Sequence, residues 1–146
     1  MKILLDTSVL VAAMVESHPA HQRALPWLQK ISDPTHEGLV AAHSIAELYA
    51  VLTSLPVKPR ISPSVARRLI EHNVLKQCKV VSLSVEDYVA IIEHLSELEI
   101  LGGATYDALI FYAAVKADAD RVATFNVKDF VRVYPDFADR IVSPSP

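Results

Sequence analysis

Apolar residues fall along this chain in two rhythms: short unbroken runs, and longer stretches at helical spacing. Ile3-Leu4-Leu5, Leu39-Val40-Ala41-Ala42 (after Gly38), Val80-Val81-Ser82-Leu83 and Arg121-Val122-Ala123-Thr124 read as strands, with Ile141-Val142 as a short fifth. The first run stops at Asp6-Thr7-Ser8, three good N-cap types, and Val9 to Val15 then reads as a helix. His18-Pro19 opens a second helix carrying Leu25 and Leu28, which Ser32-Asp33-Pro34 ends. From His43 or Ser44, Ile45, Leu48, Tyr49 and Leu52 lie on one helical face. After the connector with Pro56, Pro59 and Pro63, Ser62-Pro63 starts a helix carrying Val65, Ile70 and Val74, which ends before Lys79. Ser84 and Asp87 form a capping-box entry to a helix with Tyr88, Ile91, Ile92, Leu95 and Leu98. Gly102-Gly103 breaks the chain before a helix holding Tyr106, Ile110, Phe111 and Ala114. Asn126-Val127-Lys128-Asp129 reads as a polar turn. Strands alternating with helices predict one α/β domain over residues 1–142, a mainly parallel sheet of four to five strands covered on both faces, and a loose end at 143–146.

Composition narrows the class. At 146 residues and 51% apolar, the chain suits a single domain with its own core. One cysteine, Cys78, excludes a disulfide framework and a multi-cysteine zinc site. No apolar run is long enough to span a bilayer, and Asp6 interrupts the first run before it resembles a signal peptide, so a cytoplasmic protein is expected. The net charge of −3 does not mark a dedicated DNA-binding domain. It hides a polarity, however: residues 57–79 hold six Lys and Arg against Glu71, whereas the remainder carries 8 basic and 16 acidic residues.

The informative chemistry is acidic. Ligands of open α/β sheets bind at the carboxyl ends of the strands. Asp6 follows the first strand, Glu47 lies soon after the second, Asp107 stands in the first turn after the double glycine, and Asn126 and Asp129 follow the fourth strand. Singly, each has an ordinary reading as a helix cap or a first-turn carboxylate. Together they would repel one another, and a bound divalent cation would relieve that repulsion. Oxygen donors without a His/Cys set favour Mg²⁺ or Mn²⁺, which suits metal-assisted phosphodiester hydrolysis.

Four motifs then occur in order: Leu4-Leu5-Asp6-Thr7-Ser8-Val9-Leu10, Ala46-Glu47-Leu48, Gly102 to Ile110 around Tyr106-Asp107-Ala108, and Thr124-Phe125-Asn126-Val127-Lys128-Asp129-Phe130. Their order and spacing over residues 3 to 130 resemble the PIN-domain family, in particular the VapC-type toxin ribonucleases of toxin–antitoxin pairs. The resemblance implies a three-layer α/β/α fold and an acidic pocket for Mg²⁺ or Mn²⁺. Asp6, Glu47 and Asp107 match the family's first three acidic positions, as metal ligands and catalytic residues. Either Asn126 or Asp129 fills the fourth, and Thr124 matches a hydroxyl position that orients a water or a ligand. Asn126 carries no charge, and Asp129 has a second reading as a cap of the turn before Phe130.

The resemblance also implies an RNA substrate, a cognate antitoxin, a homodimer, and contact with DNA only through the antitoxin. The alternative reading is a catalytically weak PIN domain that serves as an RNA-binding or assembly module. A phosphotransferase with Asp6 as nucleophile is disfavoured, since such sites pair aspartates at i and i+2 and Ser8 stands here. Four other signals rank lower. His18 and His21 lack a third ligand, His43 reaches Glu47 at i,i+4 without a catalytic role, and Cys78 reads as an apolar filler. The basic segment either is a solvated surface or, through Lys58, Arg60 and Arg67, flanks the acidic pocket and holds RNA phosphates.

Overall fold

The computed structural model describes residues 1–145. Five strands form one sheet in the order β3-β2-β1-β4-β5, every neighbouring pair parallel. They are β1 (Lys2–Leu5), β2 (Glu37–Ala41), β3 (Cys78–Val81), β4 (Arg121–Ala123) and β5 (Ile141–Val142). The first strand is central: Ile3 stands opposite Gly38 on one side and Arg121 on the other. Its residues Ile3, Leu4 and Leu5 are fully buried, as a strand covered on both faces requires.

Alternation along the strands splits the core. Ile3, Leu5, Val40 and Ala123 point to the layer made by α1 (Thr7–Met14), α2 (His21–Ile31), α3 (Ala42–Ser54) and α4 (Pro63–Ile70). Leu4, Leu39, Ala41, Val81 and Val122 point to the opposite layer, with α6 (Ala104–Lys116) and α7 (Val127–Val133) against the sheet. There α5 (Val85–Glu97) packs on α6 through Ile91, Leu95, Ala108 and Leu109. The result is the expected three-layer α/β/α arrangement, with the sheet wholly parallel. Among the described residues no helix is long and apolar enough to cross a membrane.

Local chemistry explains the boundaries. Ser62 caps α4, its hydroxyl accepting from Val65 N at 3.3 Å, with Pro63 at the first helical position. The capping box at α5 is complete: Asp87 N donates to Ser84 Oγ at 3.1 Å and Ser84 N to Asp87 Oδ2 at 2.8 Å. Gly38 is glycine for space, because a Cβ there would stand 3.0 Å from the Ile31 side chain.

Several expectations require correction. The second helix begins at His21 rather than at His18-Pro19, because His18 folds back to accept the Ala20 N–H on Nδ1 at 3.0 Å. The helix from Pro63 gives way to a π-helical turn over Glu71–Leu75. The third strand starts two residues early, at Cys78, where it pairs with Gly38, and ends at Val81. The polar stretch Asn126–Asp129 opens α7 instead of forming a turn, and Phe130 and Val133 bury that helix's inner face. A short 3₁₀ segment, Pro135–Arg140, then leads to β5. Of the end at 143–146, Ser143 is exposed and Pro144 buried, while Pro146 lies outside the described residues.

Candidate active site at the carboxyl edge of the sheet

Asp6 is placed by the sheet itself. Its N–H donates to Ala123 O at 3.0 Å, carrying the β1–β4 ladder one residue past the strand. Its carbonyl accepts from Val9 and Leu10 at 3.0 and 3.1 Å, which starts α1. Only 2% exposed, its carboxylate takes two hydroxyl donors on one oxygen: Ser8 Oγ at 2.7 Å and Thr124 Oγ1 at 2.8 Å reach Oδ2. Burial pushes the Asp6 carboxyl above its ordinary range, although these hydrogen bonds pull the other way.

Thr124 is completely buried beneath the site and ties two segments to Asp6. Its Oγ1 accepts the Asn126 N–H at 2.9 Å, and its own N–H donates to Val142 O at 3.0 Å. Ser8 Oγ also accepts the Phe125 N–H at 3.2 Å. The loop after β4 thus hangs from the hydroxyls that orient Asp6.

Glu47 approaches from α3. Its Oε1 accepts from Thr7 Oγ1 at 2.9 Å and lies 3.6 Å from His43 Nε2. Asp107 stands in the first turn of α6, partly buried. Desolvation, followed by the charges of Asp6, Asp129 and Glu47, pushes its carboxyl up to about 7.

Asp6, Glu47, Asp107 and Asn126 line one cleft of about 730 Å³, with Val11, Val51 and Ile110 among its apolar walls. Asp129 lies outside that lining, exposed in the first turn of α7, yet near enough for its charge to act on Asp107. The helix is entered at Asn126, whose side chain makes no capping hydrogen bond among the described residues, and the turn is closed by Asp129 N donating to Asn126 O at 3.1 Å.

The donor set suits a hard divalent cation: three carboxylates whose mutual repulsion is already visible at Asp107, with no thiolate nearby. Among the described residues no three His, Cys, Asp or Glu side chains close up tightly enough to ligate one ion as placed.

Sequence reading missed Arg23, did not place Ser8 in the site and set His18 aside, yet all three border the cleft. Ser8 belonged to the Asp6-Thr7-Ser8 motif and was legible only as a cap. Arg23 carries no local signal, because its place depends on how α2 packs. No residue of the basic segment lines the cleft itself: Arg67 pairs with Glu71 at 3.9 Å and borders a groove with Tyr49, while Lys58 borders a hollow beside Glu16 and Ser17. His43 stacks flat on Tyr106, centroids 5.1 Å apart, outside the cleft lining. Neither His21, whose Nδ1 stands 2.9 Å from Ala12 O, nor Cys78, whose thiol burial pushes up to about 12, lines the cleft.

The sequence profile of the PIN domain matches residues 3–134. Ribonuclease VapC27 of Mycobacterium tuberculosis is 33% identical over 118 residues, which cover 81% of this chain and 80% of the relative. Ribonuclease VapC40 of the same species is 35% identical over 114 residues, 78% of this chain and 79% of the relative. Among solved structures, VapBC2 of Rickettsia felis bound to a DNA fragment from its promoter superposes with a TM-score of 0.68 at 20% identity, covering 99% of this chain and 100% of that one. VapC20 of Mycobacterium tuberculosis, a Sarcin-Ricin loop cleaving toxin, superposes with the same TM-score at 16% identity, covering 87% of this chain and 92% of that one.

Proposed function

The chain belongs to the PIN domain family, and from that membership we propose that it is a metal-dependent endoribonuclease, the toxin of a toxin–antitoxin pair. The observation that carries the reading is the placement of Asp6, Glu47 and Asp107 around one cleft at the carboxyl edge of the sheet. Ribonucleases related along four-fifths of the chain support the RNA substrate, and the VapBC complex among its structural neighbours supports an antitoxin partner. The reading carries a cytoplasmic setting and a second copy of the chain with it.

Asp6, Glu47 and Asp107 would hold the cation, Mg²⁺ or Mn²⁺. Bound there, it supplies Lewis-acid stabilisation of the charge that builds on the scissile phosphate. The chain's own contribution is geometric. Ser8 and Thr124 fix Asp6 Oδ2, which leaves Oδ1 without a hydroxyl donor and able to face a ligand. Thr7 fixes Glu47. Carboxylate oxygens on two sides of the cleft can accept hydrogen bonds from an attacking water and so aim it at phosphorus. The Asn126 amide can donate to a phosphate oxygen, where a fourth carboxylate would repel it. Apolar walls lower the local dielectric and strengthen each of these contacts.

Asn126 also motivates the second reading, an RNA-binding module that does not cut. Purified protein, free of any antitoxin, should cleave single-stranded RNA with Mg²⁺ or Mn²⁺, lose that activity in EDTA, and lose it in folded Asp6→Asn. RNA bound but left intact by folded protein with either metal would select the module instead.

A further inference from the structure

Arg23 is the one Lys or Arg lining the acidic cleft among the described residues. An arginine beside three carboxylates would ordinarily pair with one of them, yet this side chain forms no ion pair among the described residues. It lies on an aromatic ring instead, its guanidinium carbon 5.1 Å from the Phe125 centroid. That contact holds the guanidinium at the ring and leaves its donors without a side-chain or backbone acceptor among the described residues. Phe125 is itself held in register with the carboxylates, since its N–H donates to Ser8 Oγ, and Ser8 donates to Asp6. The protein therefore presents a preoriented cation, with unused donors, on the hydrogen-bonded unit that carries Asp6.

Resting on the nuclease reading, we propose that Arg23 and Phe125 form a phosphate subsite, which takes a backbone phosphate of single-stranded RNA next to the one that is cut. A planar fork matches a phosphate with two parallel N–H···O bonds. An acidic cleft repels a polyanion, so one fixed cation at its wall decides where along the strand the backbone enters. No residue of the basic segment 57–79 lines the cleft, so Arg23 is the cation placed to do this.

The test uses the whole chain and a labelled single-stranded RNA of mixed sequence, bound in EDTA over a salt series and cleaved with Mn²⁺. Arg23→Gln should weaken binding about tenfold and reduce the slope of log affinity against log salt by about 0.7. In cleavage its KM should rise by about the same factor, with a smaller fall in kcat. Arg23→Lys should restore the salt slope but only part of the affinity. Phe125→Leu, which keeps the charge and loses the platform, should weaken binding with the slope intact. Thermal unfolding of each variant separates these effects from loss of fold. Affinity and slope in Arg23→Gln equal to those of the unchanged protein would overturn the subsite alone, as would a fall in kcat with KM and slope unmoved. Failure of the unchanged protein to bind or cut RNA would overturn the nuclease reading, and the subsite with it.

Discussion

Asp107→Asn should stabilise the metal-free protein, and only above acidic pH. The folded state raises the Asp107 carboxyl from an ordinary value of 3.8 to about 7, first by burial and then by the charges of Asp6, Asp129 and Glu47. Between those two values the folded chain holds a proton that the unfolded chain has released, so stability falls as pH rises through that window. The contribution is complete below about pH 4 and gone above about pH 7. An interval of about three pH units sets a ceiling of about 4 kcal/mol. Partial exposure of the side chain brings the working figure to about 2 kcal/mol. Asparagine does not titrate, so the variant escapes this loss. In EDTA near pH 8, Asp107→Asn should therefore melt about 4–8 °C higher, and the difference should vanish toward pH 4. With Mn²⁺ at a hundred times its Kd, the unchanged protein gains about 2.7 kcal/mol, the variant gains less, and their order reverses. Equal melting in EDTA near pH 8, or a difference that ignores pH, would refute the electrostatic reasoning.

Thr124→Val removes the hydroxyl shared by Asp6 and the Asn126 N–H, and should cost about 1–3 kcal/mol in urea unfolding together with a loss of RNA cleavage; cleavage at the full rate would show that Asp6 needs only Ser8. Phe130→Ala empties a fully buried site whose ring meets Phe111 edge-on at 5.9 Å, and should cost about 3–5 kcal/mol by the same measurement. Gly38→Ala drives a methyl to 3.0 Å from Ile31 and 3.2 Å from Cys78 Sγ, and should lower stability by about 1–3 kcal/mol; an unchanged melting curve would mean that β2 and α2 separate freely.

The parts of this fold that were legible in the sequence are those where one local force decides. Ile3-Leu4-Leu5 admits only a strand buried on both faces, and Ser84 with Asp87 admits only a helix start. Asp6 and Asp107 stood out because one follows a strand and the other opens a helix, whereas Glu47 sits in the second turn of α3, further into its helix than the sequence suggested. The errors lie where tertiary contacts outvote local preference. Cys78 and Lys79 do not read as a strand, because β3 is an edge strand whose outer side is free to carry a charge. The residues Asn126, Lys128 and Asp129 concealed α7, although Val127, Phe130, Val131 and Tyr134 keep helical spacing and pack on the sheet or on α6. Arg23 was out of reach for a different reason: its importance rests on a ring a hundred residues away in the chain, which no periodicity records.

The central place of β1 bears on the order in which the cleft is assembled during synthesis. The first strand to be synthesised pairs with β2 and with β4, so its far side stays open until residues 121–123 have been made. Asp6 receives its second hydroxyl from Thr124, and Thr124 is anchored in turn to Val142. A chain still growing on the ribosome therefore holds Asp6 by Ser8 alone, and its second hydroxyl arrives only after residues 121–142 have been made. A shortened chain without β4 and β5 keeps Asp6 and Glu47 but loses the Thr124 hydroxyl and the Asn126 wall, so the cleft is closed by the last strands to join the sheet.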